Sequence, residues 1–389
     1  MEDLHSYNDR KPARLLMRKR KEGGFSMKIM TILGTRPEII RLSLVMKKLD
    51  QFADKHIIVH TGQNFTTTLN DIFFEQLHLR RPDYILSDRQ QSLGEQLSRM
   101  FLELEKIFMK ERPDKVLVLG DTNSSLGAIL AERMGIPVVH MEAGNRCFDW
   151  NVPEEINRRM IDSISSYNLP YTQNSKENLL RDGIASKQIM LSGNPIYEVL
   201  ENYKTQIDAN DILKKLQLEK KDYFLVTIHR AENVDNAESF IEIIKGLNLV
   251  AETFQKRMIC SLHPRTKSKL NQASNIGIHP LLEFYEPFGF FEFVKLEKSA
   301  FCVLTDSGTV QEECCIYHIP TVTVRTTTER PETVDCGSNM VSGIDQKNIL
   351  KAVKVMTKQP LNWKCPDGYL DKNVSERVVK FILGGANIV

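Results

Sequence analysis

"MKIMTILGTRPEIIR", residues 27–41, runs from a short apolar segment through Gly34 into a stretch that Pro37 can open as a helix. A strand followed at once by a helix is the unit of a parallel α/β sheet. The alternation recurs downstream. Strands are predicted at 56–60 "HIIVH", 115–119 "KVLVL" and 137–141 "PVVHM", with helical stretches near 37–50, 66–77, 92–110 and 123–134. After about residue 195 it restarts, with strands predicted at 223–228 "YFLVTI", 257–262 "RMICSL", 300–305 "AFCVLT" and 321–324 "TVTV". Two such series imply two doubly wound α/β domains facing one another. The expected division is a flexible basic tail over 1–26, an N-terminal domain over 27–195 and a C-terminal domain over 196–365. An amphipathic helix within 366–389 would pack back across them, and the polar segment 192–213 is the expected hinge.

Of 389 residues, 41% are hydrophobic and 26% charged, as in ordinary globular proteins, and no apolar run approaches the ~18 residues of a membrane span. The net charge of +2 is uneven: residues 1–26 carry seven Lys/Arg and four Asp/Glu, leaving 45 basic and 46 acidic residues in the body. A near-neutral body argues against a broad nucleic-acid footprint. The seven cysteines show no CxxC pair. That reads as free thiols in a reducing cytoplasm, with no disulfide framework and no structural zinc.

Open α/β sheets bind ligands at the carboxyl ends of their strands, so the predicted strand ends become a list of candidate site residues. The first strand delivers Arg36, the third Asp121, and the fourth Glu142 and Arg146. In the second series, strands lead into "HRAEN" (His229, Arg230), "HPRTK" (His263), "DSGTVQEE" and "RTTTERPE". "DSGT" before a helix offers backbone N–H groups to a phosphate, or a plain N-cap. Arg36 can fork a phosphate oxygen. Phosphate sites on both halves suggest a nucleotide or diphosphate between the domains. There is no GxGxxG, no Walker lysine and no HExxH, so nicotinamide, ATP and metal readings are weak. The acids of "HMEAGNRCFDWNVPEEINRRMID", residues 140–162, divide. Glu154 and Glu155 follow Pro153, with Asn151 as N-cap, and stand four residues before Arg158 and Arg159, which alone reads as ordinary helix chemistry. Glu142, ending an apolar strand, is expected to be partly desolvated with a raised pKa, suited to acid or base work.

"GTRPEIIR", "HTGQNF", "GDTNSS", "HMEAGNR", "PEEINR", "HRAEN", "DSGTVQEE" and "TTERPE", in this order, resemble the non-hydrolysing UDP-N-acetylglucosamine 2-epimerase family. The resemblance runs from about Met27 to the C-terminus. It implies a GT-B-like pair of Rossmann domains, a homodimer, a UDP-sugar substrate and no metal or nicotinamide cofactor. It also implies elimination of UDP to a 2-acetamidoglycal and re-addition with C2 inverted. Carried over by motif, Asp121, Glu142, Glu154 and His229 form the catalytic group, with Asp121 and Glu142 as proton carriers and His229 near the leaving diphosphate. Arg36, Arg41, Arg146, Arg230, His263, Ser307, Gly308 and Glu313 are implied substrate or UDP contacts, Glu313 at the ribose. The aromatic run 284–293 would line a uracil pocket or belong to the core. Several positions depart from the UDP-N-acetylglucosamine enzymes: Arg41 for lysine, "AGNRCFD" for "AGLR", "HRAEN" for "HRREN" and "DSGT" for "DSGG". The pattern resembles the subgroup that makes UDP-N-acetyl-L-fucosamine from UDP-2-acetamido-2,6-dideoxy-L-talose for capsule and O-antigen, with UDP-N-acetylglucosamine as the alternative substrate. A GT-B glycosyltransferase shares the architecture, and a sugar-nucleotide sensor would share the cleft but not its acids.

Overall fold

The computed structural model describes residues 27–62, 67–86, 92–262 and 277–384, with the backbone alone for 67–71. Tail residues 1–26 and His263 lie outside the described residues. Two six-stranded sheets follow one another along the chain. The first has the order β3-β2-β1-β4-β5-β6, from β1 (Lys28–Leu33), β2 (Lys55–His60), β3 (Tyr84–Ile85), β4 (Lys115–Leu119), β5 (Val138–Met141) and β6 (Tyr167–Leu169). The second has the order β12-β11-β10-β7-β8-β9, from β7 (Tyr223–Thr227), β8 (Arg257–Ser261), β9 (Leu282–Tyr285), β10 (Cys302–Thr305), β11 (Thr321–Thr323) and β12 (Asn339–Val341). Every pairing is parallel. Renumbered from its own first strand, the second sheet repeats the order of the first. This is the doubly wound Rossmann order twice over, the GT-B-like architecture.

Each sheet is buried on both faces because its strands are apolar at successive positions. Ile29 and Leu33 of β1 face one core while Met30 and Ile32 face another. One core also joins the halves: Ile39, Leu42 and Val45 share it with Phe290, Val294 and Cys315. The segment 192–213, expected as a polar hinge, instead forms the helices Ile196–Asn202, Lys204–Ala209 and Ile212–Lys215. Its apolar positions Val199, Leu200, Tyr203 and Ile207 fall on inward faces and are buried. The helix Val374–Leu383 buries Val378, Val379 and Ile382 in the same joint core, beside the helix Arg36–Phe52. The aromatic run packs as core: Phe290 and Phe291 lie edge-on and tilted against Tyr203, and Phe288 and Phe293 join the core under the second sheet.

Candidate active site

In each sheet the strand order reverses between two central strands, β1 and β4 in the first, β7 and β10 in the second. Ligands bind at such switch points. The four loops leaving these strands carry Arg36, Asp121, His229 with Arg230, and Ser307 with Gly308. Chain topology therefore gathers residues that sequence scatters.

On the first side, Glu38 reaches back to the N–H groups of Gly34 and Thr35 (2.9 and 2.7 Å) and accepts the Thr122 hydroxyl at 3.0 Å. It ties the loop after β1 to the loop holding Asp121. Burial pushes its carboxyl up to about 7 against those hydrogen bonds. Arg36 has no carboxylate within ion-pair range among the described residues, and burial lowers its pKa. A half-buried cation of this kind suits an anionic ligand.

Glu142 follows β5 in a left-handed conformation (φ 65°), an uncommon setting for a residue with a Cβ. The turn closes at Gly144 (φ 80°), where a Cβ would meet the Ser175 carbonyl oxygen at 2.1 Å, so glycine is required there. Glu142 is buried and accepts hydrogen bonds from Arg41 and, at 2.6 Å, from Arg330. The same two arginines also pair with Glu312, and Arg41 donates to the Thr309 hydroxyl at 3.1 Å. Arg41, Glu142, Arg330 and Glu312 thus close a four-membered ring of alternating charge across the junction of the halves. Burial opposes the charge on Glu142, but Arg41, Arg330 and Arg158 outweigh it and hold the carboxyl at about 2. The raised pKa expected for Glu142 is therefore corrected. A strand-end carboxylate is desolvated as anticipated, but sequence gave no sign that two arginines distant in the chain would bracket it.

Glu154 is the raised carboxyl that faces Arg230. It sits in the first turn of the helix Pro153–Ile164, is 35% exposed, and lies 3.7 Å from Arg230. Burial lifts its pKa, Arg230 opposes, and Asp121 adds to the lift. Its expected pairing with Arg158 is not made. Arg158 is buried and donates to Asp121 and, at 3.0 Å, to Glu155, while Asn157 donates to the Asp121 carbonyl at 2.9 Å. Val152, not Asn151, occupies the N-cap, because Asn151 is engaged with the Asp149 side chain.

On the second side, buried Asp306 accepts from the N–H groups of His229 and Arg230 (both 2.9 Å) and from Asn233 at 3.1 Å, clamping the loop after β7. The His229 ring lies 3.2 Å from Asp306 and is 41% exposed. Its confinement, Arg230 and Arg36 lower its pKa against the pull of Asp306. Arg230 also approaches Glu329 at 3.5 Å, itself gripped by Arg325 at 2.8 and 3.0 Å. Ser307 stands at the N-cap position of the helix Gly308–Tyr317 without a side-chain capping bond, and Gly308 packs under Arg330. Glu313 lies inside against Glu297, and burial raises both carboxyls, that of Glu313 to about 8.

Two implied contacts stand apart: Glu313, buried against Glu297, and Arg146. Arg146 is buried, with its guanidinium directed at Asp162 (2.7 Å), Asp182 (2.8 Å) and the Asn145 carbonyl, which makes it a brace inside the first half. This corrects the reading of Arg146 as a substrate ligand. Residues that sequence reasoning missed are Glu38, Arg158, Asp306, Glu312 and Arg330, although Glu312 and Arg330 lie within the motifs "DSGTVQEE" and "TTERPE".

The chain matches the profile of the UDP-N-acetylglucosamine 2-epimerase family over residues 47–383. It is 43% identical to a UDP-N-acetylglucosamine 2-epimerase of Methanocaldococcus jannaschii, over 92% of this chain and 100% of that protein. The crystal structure of UDP-GlcNAc 2-epimerase from that organism, in complex with UDP-GlcNAc and UDP, matches with a TM-score of 0.88 at 42% identity, covering 92% of this chain and all of that one. It is 36% identical to a UDP-2,3-diacetamido-2,3-dideoxy-D-glucuronate 2-epimerase of Pseudomonas aeruginosa, over 84% of this chain and 92% of that protein. A glycosyltransferase involved in lipopolysaccharide biosynthesis, 10% identical with a TM-score of 0.58 over 92% of this chain and 100% of that one, shares the fold alone. The chain belongs to the non-hydrolysing UDP-N-acetylglucosamine 2-epimerase family, a family of isomerases.

Proposed function

We propose that the protein inverts C2 of UDP-N-acetylglucosamine, giving UDP-N-acetylmannosamine, in the cleft between its two sheets. The observation that carries this reading is the convergence of Arg36, Asp121, Glu142 and Glu154 from one half with His229, Arg230 and Arg330 from the other. A base removes the C2 proton as the C1–oxygen bond to UDP breaks, leaving a 2-acetamidoglycal. A proton returns to the opposite face of C2 while a UDP oxygen re-forms the bond to C1. Proton carriers work best with pKa values near the working pH. Glu154 is partly open, and burial moves its carboxyl toward that condition, with Asp121 beside it. Glu142, held ionised at about 2, acts instead as the anchor that positions Arg41 and Arg330 for the diphosphate. Arg36, Arg230, Ser307 and Gly308 complete the UDP site, and His229 assists the leaving group.

The sugar identity rests on the relatives and on the "AGNRCFD" turn. Asn145 and Arg146 of that turn point inward, Asn145 accepting from Ser175 at 2.7 Å, so neither supplies a contact to C6 of a sugar. UDP-2-acetamido-2,6-dideoxy-L-talose is the second reading, carried by the same departures and by Arg41. The test is kcat/KM for both compounds in one assay. A clear preference for the 6-deoxy-L sugar would overturn the UDP-N-acetylglucosamine assignment and leave the epimerase intact. Seven free cysteines fit a reducing compartment such as the cytoplasm. The exposed Leu102 and Met109, on one face of the helix Leu93–Glu111, support a homodimer.

A further inference from the structure

Three cysteines distant in sequence meet behind the cleft. Cys315 is buried near the end of the helix Gly308–Tyr317, and half-buried Cys336 follows the helix Pro331–Asp335. Their sulfurs lie 3.7 Å apart. Buried Cys365 approaches from the C-terminal segment, its Sγ 3.5 Å from the Cys315 carbonyl, which also accepts from the Trp363 indole at 3.0 Å. Cys336 alone of the three is partly exposed, and its Sγ–H donates to the Ser338 hydroxyl at 3.4 Å. The neighbouring Cys315 sulfur, more than the Ser338 side chain, lowers the pKa of its thiol, which favours the reactive thiolate. Among the described residues no cluster is suited to a metal ion, which removes a zinc reading of these thiols.

We propose that Cys336 and Cys315 form a reversible dithiol–disulfide site that responds to hydrogen peroxide and related hydroperoxides. The Cys336 thiolate attacks a peroxide oxygen, the O–O bond breaks, and the departing hydroxide takes a proton to become water. Cys336 is left as a sulfenic acid. The Cys315 sulfur then attacks the Cys336 sulfur, an S–S bond forms, the S–O bond breaks, and the second hydroxide leaves as water with the Cys315 proton. Two thiols lose two electrons and two protons, and the peroxide becomes two waters. A thiol reductant reverses the change by exchange.

The site is coupled to the cleft through two helices. The helix ending near Cys315 begins beside Thr309 and Glu312, and the helix ending at Cys336 begins immediately after Arg330. Drawing the sulfurs from 3.7 Å to the ~2.05 Å of a disulfide shifts these helices on the order of 1 Å. A displacement of that size at a reacting centre costs up to about 10²-fold in rate.

The test treats the purified full chain with hydrogen peroxide and follows intact mass, non-reducing peptide maps and turnover. The expected result is a protein two hydrogens lighter, a Cys315–Cys336 cross-linked peptide, and turnover reduced roughly 10- to 100-fold and restored by dithiothreitol. Cys336→Ser keeps its basal turnover and resists peroxide. Cys336 still free after treatment, a Cys315–Cys365 cross-link, a cross-link without loss of turnover, or peroxide sensitivity surviving in Cys336→Ser would each overturn the proposal. Only the turnover arm rests on the epimerase reading. If that reading failed, the peptide map would still decide whether the site exists.

Discussion

Glu142 and Glu154 belong to one short stretch of chain and end with opposite chemistry. Glu142 is pinned between Arg41 and Arg330, and the attraction overrides the cost of burial. Glu154 faces Arg230 at a longer distance and stands near Asp121, so burial prevails and its carboxyl rises. The difference lies in which charges arrive from elsewhere in the fold, Arg41 and Arg330 at Glu142 and Arg230 with Asp121 at Glu154, and so it was hidden from sequence. The identity of the cleft acids was legible because each sits at a strand or helix end, where the fold puts ligands. Their roles were not, because the arginines that set them, Arg41 and Arg330 at Glu142 and Arg230 at Glu154, come from other elements. Glu154→Gln should lower kcat by about 10²–10⁴-fold with UDP still bound. In the wild type, the limb of the pH–rate profile that reports Glu154 should lie above the usual carboxylate range, because its pKa is raised, and should vanish in the variant. Glu142→Gln should weaken substrate binding more than it slows the chemical step. A Glu142→Gln enzyme with unchanged KM and a lost proton-transfer step would reverse the two roles.

The eight strands expected from apolar runs are all present, and the four that went unseen are β3, β6, β9 and β12. These are the edges of the two sheets. An edge strand is short and carries no continuous apolar run, so "YI", "YNL", "LEFY" and "NMV" left no signal above the surrounding loops. The segment 192–213 misled for a related reason. Its polar residues outnumber its apolar ones, yet the apolar ones fall at helical spacing and pack inward. The helix Val374–Leu383 shows what such packing contributes. Ile382 is fully buried, and its carbonyl accepts from the Lys115 ammonium at 2.5 Å. Ile382→Ala should cost roughly 2–5 kcal/mol in denaturant unfolding while leaving kcat near normal, since the residue packs by Lys115 at the start of β4, and Asp121 follows the other end of that strand. An unfolding midpoint equal to wild type would show that this helix does not help hold the halves together.

Across the whole molecule, two copies of one sheet topology present their switch points to a common cleft, and four alternating charges join them there. Neither half alone completes that ring. Removing one member leaves a buried charge without its partner, which is more costly than the pair itself is favourable. The account predicts chemistry on C2 of the sugar within this cleft, and solvent exchange at that carbon reads it directly. The enzyme is incubated with UDP-N-acetylglucosamine in D2O, and C2 of both epimers is followed by NMR. Deuterium should enter C2 as UDP-N-acetylmannosamine forms, at a rate tied to turnover and abolished in Glu154→Gln. Epimerised product that keeps its original C2 proton, or a glycoside formed without exchange at C2, would contradict the account.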